Sequence, residues 1–315
     1  MIRVQNVAKS YEGKPALRGL SLSVDKGEIV ALTGLKGAGK TTAMDVIAGV
    51  READGGTVEI GGVAMDSEIS RARQLVGYVP AETPAPRDMS PRAYLKFLAD
   101  ARGLSSRDAA GKIDAAIKLL GLQDAADKSM RRLNRAALRL ASIAQAVFFE
   151  PEALLIDEPT AGLDPKEIAA VRGALKEVAR ERAVLLASES LTEMCALANR
   201  VIVLSEGRVV SEGTPDQLHN MTRLSDSVRV VTRADEAAAR AAFSAVKDAT
   251  VKSAKVTGEG LELTIQMNGD QREALFSAAM KANLPLLELS PVRKPLDKLL
   301  ESLVSEQVEG GVDEA

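Results

Sequence analysis

A glycine-rich loop near the N-terminus constrains the fold of this chain more than any other stretch. The loop follows a mainly apolar run at 28–33, which predicts a short buried strand, and it precedes a run at 41–48 that predicts an amphipathic helix. Strand, loop and helix in this order are typical of a phosphate-binding loop, in which backbone N–H groups and the helix N-terminus bind phosphate oxygens. The loop comprises Gly34, Leu35, Lys36, Gly37, Ala38, Gly39, Lys40, Thr41 and Thr42.

Two side chains of this loop carry specific chemistry. Lys40 is in position to reach the β- and γ-phosphates of a nucleotide, and the Thr41 hydroxyl is in position to ligate Mg²⁺. Lys36 either neutralises further γ-phosphate charge or faces solvent. A glycine-rich turn without a ligand is the alternative for the whole loop. The Lys-Thr pair in the correct context favours binding of a nucleoside triphosphate.

Composition limits the other classes of function. The chain has 315 residues, 46% of them hydrophobic and 27% charged, which is typical of a globular protein long enough for two domains. A net charge of −3 gives no electrostatic reason to expect a nucleic-acid partner. The single cysteine, Cys195, excludes an internal disulfide and suits a reducing cytosol. No run approaches the roughly 20 apolar residues that span a bilayer, so any membrane role requires a partner chain.

A second motif adds acidic groups to the predicted site. Residues 153–156 are all apolar and predict a buried strand that ends at Asp157 and Glu158. A carboxylate at the carboxyl end of such a strand can hold Mg²⁺ through its water shell, which is the role we expect for Asp157. Glu158 is then in position to polarise an attacking water. The alternative is a strand that merely ends in acidic residues.

The residues that follow this strand carry a family resemblance. The run at 157–165, Asp-Glu-Pro-Thr-Ala-Gly-Leu-Asp-Pro, resembles the Walker B and D-loop run of ATP-binding-cassette (ABC) ATPases. The agreement extends to the phosphate loop, to Tyr11 and to the run at 200–210, and it covers residues 1–220. The sequence most resembles ATPase subunits of ABC-2-type exporters, including the gliding-motility type. The resemblance implies an α/β P-loop NTPase fold with an antiparallel β subdomain and a helical subdomain at about 82–145.

The resemblance also implies cofactors, partners and a location. ATP and Mg²⁺ are the expected cofactors, with Tyr11 stacking on adenine. ATPases of this kind pair head to tail and hold each ATP between the phosphate loop of one chain and the signature motif of the other. A multi-spanning permease is coupled to the pair through the helical subdomain. We therefore expect a cytoplasmic chain that is peripheral on the inner face of the cell membrane.

The signature motif and the switch position depart from the family pattern. Asn134 replaces the signature serine, and Ala136 replaces a glycine that permits close backbone approach. Asn can still donate a hydrogen bond, so contact with the opposite γ-phosphate is weakened. Glu189 stands where the family has a switch histidine, and a carboxylate there would repel the γ-phosphate. The only histidine, His219, is expected in a solvated or capping role rather than in catalysis.

The glutamine that normally couples the nucleotide to the permease is also missing. Ala81 occupies its position, and Glu82 could substitute only if the loop slips by one residue. The sequence therefore predicts intact ATP and Mg²⁺ binding, slow hydrolysis, and a second, different ABC ATPase chain as partner, with a homodimer as the alternative. A soluble nucleotide-dependent clamp without transport is an alternative function. A small-molecule kinase would need an acceptor pocket that the sequence does not indicate.

The remaining chain predicts a second domain. We expect the ATP-binding domain at 1–222 and an α+β accessory domain at 228–305, followed by a flexible tail at 306–315. The order of strands and helices, βαββαβ, is typical of a ferredoxin-like layer. This domain has no Cys, no His and no glycine-rich phosphate loop, so we expect a regulatory or dimer-stabilising role rather than catalysis.

Overall fold

The chain forms two compact units. The computed structural model describes residues 1–82, 86–269, 271–293 and 295–310, with side chains at 223–226, 293 and 306–310 left undescribed. The first unit comprises Met1–Pro215 together with the helical residues from Leu300 onward, and the second comprises Asp216–Leu299. The predicted division at 222–228 lies seven or more residues further along the chain than this one.

The first unit alternates strands and helices. In chain order its elements are β1 (Ile2–Tyr11), β2 (Lys14–Val24), β3 (Ile29–Thr33), α1 (Lys40–Ile47), β4 (Gly55–Ile60), β5 (Val63–Ala64), α2 (Ile69–Gln74), β6 (Val76–Val79), α3 (Pro91–Ala101), α4 (Ser106–Leu119), α5 (Arg135–Val147), β7 (Ala153–Asp157), α6 (Pro165–Ala179), β8 (Ala183–Ser188), α7 (Leu191–Leu197), β9 (Arg200–Ser205) and β10 (Arg208–Gly213). The next helix, α8 (Pro215–Met221), begins at Pro215 and otherwise lies in the second unit.

Two sheets organise these elements. The central sheet has six strands in the order β10-β9-β3-β8-β7-β6, and all neighbours are parallel except the β9–β10 hairpin. Every residue of β3, β7 and β8 is buried, which explains their nearly continuous apolar sequences. The second sheet is antiparallel and has the order β2-β1-β4-β5. This architecture confirms the predicted α/β fold with an antiparallel β subdomain.

Three α-helices lie between β6 and β7, within the stretch predicted to be helical. The last of them, α5, packs against β6 so closely that only glycine fits at Gly77, where an added Cβ would lie 2.4 Å from the carbonyl oxygen of Ala146. Most residues of α5 between Ala136 and Val147 are buried. Through α5, the helical part of this unit therefore packs directly against the central sheet.

The second unit has the predicted ferredoxin-like order. Its elements are β11 (Arg223–Thr232), α9 (Glu236–Ser244), β12 (Thr250–Val256), β13 (Leu261–Gln266), α10 (Arg272–Lys281), β14 (Leu286–Arg293) and the start of α11 (Leu296–Gly310). The sheet is antiparallel with the order β12-β13-β11-β14. Alternate residues of β11 and β13 share a core with α9 and α10, in which Phe243 and Leu275 are fully buried.

Some elements differ from their predicted bounds. β11 begins at Arg223, before the predicted start of the accessory domain at 228, because Arg223 pairs with Arg293 of β14 and Ser227 pairs with Gln266 of β13, without an apolar pattern in this stretch. α11 continues to Gly310, past the predicted end of the accessory domain at 305 and into the predicted tail, because no helix-stopping residue precedes that glycine. The rest of the predicted tail, at 311–315, lies outside the described residues. In the described part of the chain, no helix is long and apolar enough to cross a membrane.

Candidate functional site

The carboxyl ends of the five parallel strands lie at one edge of the central sheet. Strand β8 lies between β3 and β7, so that Thr33 pairs in register with Ser188 and Asp157 pairs with Ala187. The segments after these strands carry the predicted phosphate loop, the acidic motif and the switch position. Loops that follow neighbouring parallel strands converge at the same edge, where α/β proteins bind ligands. The fold therefore brings the three motifs together.

Glycine is required at both ends of the phosphate loop. An added Cβ at Gly34 would lie 2.2 Å from the carbonyl oxygen of Leu204. Gly39 has a φ of +105°, and an added Cβ there would lie 2.6 Å from the carbonyl oxygen of Ala16. Helix α1 begins directly after it, at Lys40, so the first free N–H groups of the helix face the space inside the loop.

Lys40 lies under the loop rather than in solvent. Its side chain is buried, and its Nζ donates to the carbonyl oxygens of Gly34 at 2.7 Å and Leu35 at 3.1 Å. A Glu189 carboxylate oxygen lies 3.8 Å from the same Nζ. Burial lowers the pKa of Lys40, and the nearby carboxylates of Glu189, Glu158 and Asp157 oppose that shift. The ammonium group is therefore positioned by the loop backbone and surrounded by negative charge.

The two predicted metal ligands contact each other. The Thr41 hydroxyl donates to Asp157 Oδ2 at 3.0 Å, which joins the start of α1 to the end of β7. Asp157 is almost fully buried, and this burial raises the pKa of its carboxyl group. A hydroxyl and a carboxylate oxygen at this spacing are hard oxygen donors of the kind that Mg²⁺ prefers. The donor set fits a magnesium ion.

Glu158 is held in an unusual backbone conformation. Its φ is +49°, a region that non-glycine residues rarely adopt. Its N–H donates to the carbonyl oxygen of Ala187 at 2.8 Å. Its carboxylate accepts hydrogen bonds from the Ser188 hydroxyl at 2.9 Å and from the Glu189 N–H at 3.1 Å. Burial raises the pKa of Glu158, and these two hydrogen bonds partly offset the shift.

A cleft of about 350 Å³ collects most of the predicted site residues. Its lining consists of Ala16, Lys36, Gly37, Gly39, Lys40, Thr41, Thr42, Ala81, Asp157, Glu158 and Glu189. Lys36 is exposed and lines the cleft, which leaves both of its interpretations open. Tyr11 is not part of this lining. Its ring lies at the end of β1, 5.9 Å from Lys9 Nζ and 5.4 Å from the Arg51 guanidinium carbon.

The altered signature residues lie outside the cleft, at the N-terminus of α5. Asn134 is the N-cap of that helix, and its Oδ1 accepts a hydrogen bond from the Ala137 N–H at 2.8 Å. Ala136 is buried in the first turn. Between them, Arg135 donates to the carbonyl oxygen of Gly162 at 2.7 Å. Capping occupies the side-chain oxygen of Asn134 and leaves its amide nitrogen as the group that could meet a second chain.

The sequence analysis missed Arg139, a buried arginine on α5. Its guanidinium donates to carbonyl oxygens on both sides of the cleft, at the end of β6 and the end of β7. These acceptors belong to Pro80 at 3.1 Å, Ala81 at 3.3 Å, Asp157, Glu158 at 2.7 Å and Pro159 at 3.3 Å. Burial lowers the pKa of Arg139. A charged residue between Leu138 and Leu140, in a mainly apolar part of the helix, was the available signal.

Comparisons with known proteins agree with this geometry. Residues 17–161 match the ABC transporter family. The chain is 32% identical over 261 residues to the Nod factor export ATP-binding protein I of Burkholderia orbicola, covering 82% of this chain and 84% of the relative. It is 27% identical to the linearmycin resistance ATP-binding protein LnrL of Bacillus subtilis over 96% of this chain and 98% of the relative.

Solved structures show the same class of fold. The structure of an ATP-binding subunit of an ABC transporter is 26% identical and superimposes with a TM-score of 0.61, covering 70% of this chain and 92% of that one. The structure of cbiO1 from Clostridium perfringens, part of an ABC transporter complex, is 25% identical with a TM-score of 0.63. The fold and the phosphate-loop site define a P-loop ATPase of the ABC type. The chain belongs to the family of ATP-binding subunits of ABC transporters.

Proposed function

We propose that this chain binds Mg·ATP in the cleft at the carboxyl edge of its central sheet. The observation that carries the proposal is the contact of Thr41 with Asp157 at 3.0 Å, beside the buried Lys40. These groups supply a magnesium ligand pair and a cation at the place where the loop N–H groups face inward. In this proposal the loop from Gly34 to Thr42 binds the phosphates, and Tyr11 stacks on adenine.

The metal and the water have separate ligands in this proposal. Thr41 would ligate Mg²⁺ directly, and Asp157 would hold it through a water molecule. The ion, when bound, would neutralise negative charge on the β- and γ-phosphates. Glu158 is the proposed catalytic residue, because its carboxylate is held at the strand end by Ser188 and has a raised pKa, which suits proton transfer.

Calorimetry of the full chain with Mg·ATP tests nucleotide binding. Lys40→Ala removes the buried ammonium and should weaken binding by at least about tenfold, since it removes a charge-assisted contact to phosphate. Lys26→Ala is the control, because this exposed lysine precedes β3 and does not line the cleft, and the affinity of this variant should stay within about threefold of the wild type. No binding heat and no thermal stabilisation of the wild type, or an unchanged affinity in Lys40→Ala, would contradict the proposal.

Partners follow from the family. Its ATP-binding subunits dimerise and work with membrane permease components, and we propose the same for this chain, at the cytoplasmic face of the membrane. We further propose that the second ATPase chain is a different protein, because a homodimer would place Ala136 and Glu189 in both of its sites. Light scattering with Mg·ATP tests this point. A stable ATP-dependent homodimer of the purified chain would contradict the heterodimer.

We propose that hydrolysis by the isolated chain is slow. Glu189 places a carboxylate, rather than an imidazole, beside Lys40, while its backbone N–H donates to Glu158. Ala81 presents no side-chain amide to the cleft that it lines. Turnover of the wild type should therefore stay well below about 1 s⁻¹, the low end of usual enzyme rates. A faster rate that Glu158→Gln abolishes would contradict this part of the proposal.

A soluble nucleotide-dependent clamp without transport is the second candidate. The observation that favours it is Ala81, since the family couples nucleotide and permease through a glutamine at this position. Cell fractionation separates the two candidate functions. The cells should produce this chain together with the membrane protein that any neighbouring gene for a multi-spanning protein encodes. Copurification with that membrane protein supports the transporter subunit, and recovery in the soluble fraction alone supports the clamp.

We propose that the second unit, Asp216–Leu299, which contains most of the predicted domain at 228–305, is an accessory domain that stabilises dimers or regulates them. Its sheet and two helices have a core of their own, and the linearmycin resistance relative matches this chain along nearly its whole length. A chain that lacks residues 228–315 should bind Mg·ATP with wild-type affinity but assemble less readily with its ATPase partner. Unchanged assembly in light scattering would count against this role.

A further inference from the structure

A carboxylate competes for the cation of the phosphate loop. We propose that Glu189 lowers the preference of the cleft for ATP over ADP, because its side chain occupies the part of the Lys40 ammonium that a γ-phosphate oxygen would bind. This inference rests on the proposed function and adds a specificity-determining residue to it. Glu189 is thus not only a lost sensor of the γ-phosphate but an active competitor of it.

The geometry leaves Lys40 one free direction. An ammonium group has three donors, and two of them point to the carbonyl oxygens of Gly34 and Leu35, at 2.7 and 3.1 Å. Glu189 Oε1 lies 3.8 Å from the same nitrogen. Only 7% of Lys40 is exposed, so its side chain has little freedom to turn elsewhere. A phosphate oxygen that approaches Lys40 Nζ from the remaining direction therefore competes with the Glu189 carboxylate and is repelled by it.

The fold fixes the backbone of Glu189 at this place. Strand β8 lies beside β3 and ends at Ser188, which pairs in register with Thr33. The Glu189 N–H donates to Glu158 Oε1 at 3.1 Å, which holds the residue against the end of β7. The side chain itself is 56% exposed and can rotate. The backbone thus keeps the carboxylate near the phosphate loop, while the rotation of its side chain limits the strength of competition.

Charge decides which nucleotide is affected. The Lys40 ammonium already faces Asp157 and Glu158 in addition to Glu189. The γ-phosphate would add negative charge beside these carboxylates, whereas ADP ends one phosphate earlier. Repulsion between charges a few ångströms apart remains appreciable at a partly exposed site, although salt screens it. The affinity for ATP should therefore fall more than the affinity for ADP.

Calorimetry on the full chain tests the inference with Mg·ADP and with the magnesium complex of a non-hydrolysable ATP analogue. A charge series of the wild type, Glu189→Gln and Glu189→Lys separates charge from shape. The ratio of analogue affinity to ADP affinity should rise about fivefold to tenfold in Glu189→Gln and further in Glu189→Lys. The differences should shrink as salt is raised from about 0.05 M to about 0.5 M.

Glu181→Gln is the matched control, because this exposed glutamate precedes the other end of β8, roughly 20 Å away along the strand direction. Its affinity ratio should equal that of the wild type. A ratio within about twofold of wild type in both Glu189 variants, or an equal rise in Glu181→Gln, overturns the inference. If ADP still binds tightly, the proposed function stands without it. If neither nucleotide binds the wild type, both proposals fail.

Discussion

At the scale of single residues, Arg139 connects parts of the site that lie far apart in sequence. Within the described part of the chain, its guanidinium donates only to backbone carbonyl oxygens, at the end of β6 and at the end of β7. One of these carbonyls belongs to Glu158, whose φ of +49° is unfavourable for a residue with a side chain. Arg139 therefore helps to hold the strained turn that presents the proposed catalytic carboxylate.

Replacing Arg139 should unfold the protein at lower denaturant concentration. Arg139→Met keeps much of the side-chain volume but leaves several carbonyl oxygens without their donor, so we expect a loss of roughly 3 kcal/mol in the free energy of unfolding. The free energy of unfolding of Arg139→Lys should lie between those of the wild type and Arg139→Met, because an ammonium group keeps the charge but cannot reach the same set of carbonyl oxygens. Arg135→Met, on the exposed side of the same helix, is the comparison: it removes one exposed hydrogen bond, to the carbonyl oxygen of Gly162, and should cost no more than about 1 kcal/mol.

Glu158 should make stability depend on pH. Burial raises the pKa of its carboxyl group, so the ionised form is less favourable in the folded chain than in the unfolded chain. Relative to the ionised form, the neutral carboxyl group makes the folded chain more stable. This contribution to the free energy of unfolding is fully present below the ordinary pKa of 4.5, and it is lost as pH rises through the pKa of the folded state. Glu158→Gln, which cannot ionise, should therefore gain stability relative to the wild type as pH rises above that value.

The gain should stay below about 1 kcal/mol, because solvent screens this partly exposed carboxylate. Thermal unfolding without nucleotide, measured from acid to mildly alkaline pH, checks the expectation. Glu181→Gln is again a suitable control, since it removes an exposed carboxylate elsewhere on the chain. A difference between Glu158→Gln and the wild type that does not change with pH would show that charge burial is not its cause.

At the scale of elements, α5 has a different task at each of its two ends. It packs against β6 closely enough to require Gly77, and its N-terminus carries the altered signature run. Asn134 contributes its side-chain oxygen to the N-cap, which secures the helix. Asn departs from the family pattern at this position, but it is one of the best N-cap residues. The helix therefore still begins within the signature run.

Asn134 substitutions should separate helix stability from signature function. Asn134→Ala removes the cap and should cost about 1 kcal/mol of stability, whereas Asn134→Ser keeps a capping oxygen and should change it by a few tenths. The unfolding temperatures of the two variants, compared with that of the wild type, measure these two changes in stability. We expect Asn134→Ser to leave Mg·ATP affinity of the single chain unchanged, because Asn134 does not line the cleft of its own chain. A loss of affinity in this variant would contradict that assignment.

At the scale of the whole molecule, each unit has a core of its own. The first unit buries the strands of its two sheets around α1, and the second buries Phe243 and Leu275 between its sheet and two helices. Separate cores allow one unit to change in stability without loss of structure in the other. The arrangement suits a chain in which the nucleotide site and the accessory domain have different roles.

Phe243→Ala tests this separation. The side chain is fully buried, so its removal should destabilise the second unit by about 3–5 kcal/mol. The thermal stabilisation of the first unit by Mg·ATP should persist in scanning calorimetry. Phe276→Ala is the matched control, because that ring is half exposed on α10 and should matter little. Loss of nucleotide binding in Phe243→Ala would show that the two units do not behave independently.

The sequence by itself determined the class of fold and the chemistry of the phosphate loop. Local patterns suffice there, since the spacing of glycines, Lys40 and Thr41 is set within one strand, one turn and one helix. The apolar run before Asp157 likewise identified its strand. The βαββαβ order of the second unit was readable because each strand and helix has its own period.

Only the tertiary structure decided which groups face one another across the site. No local pattern states that β8 inserts between β3 and β7, yet this order brings Glu189 to Lys40 and Ser188 to Glu158. The same holds for Arg139, whose acceptors lie 18 to 59 residues away along the chain. Strand order and helix packing depend on the burial of the whole core, and a contact between distant residues exists only once that core has formed.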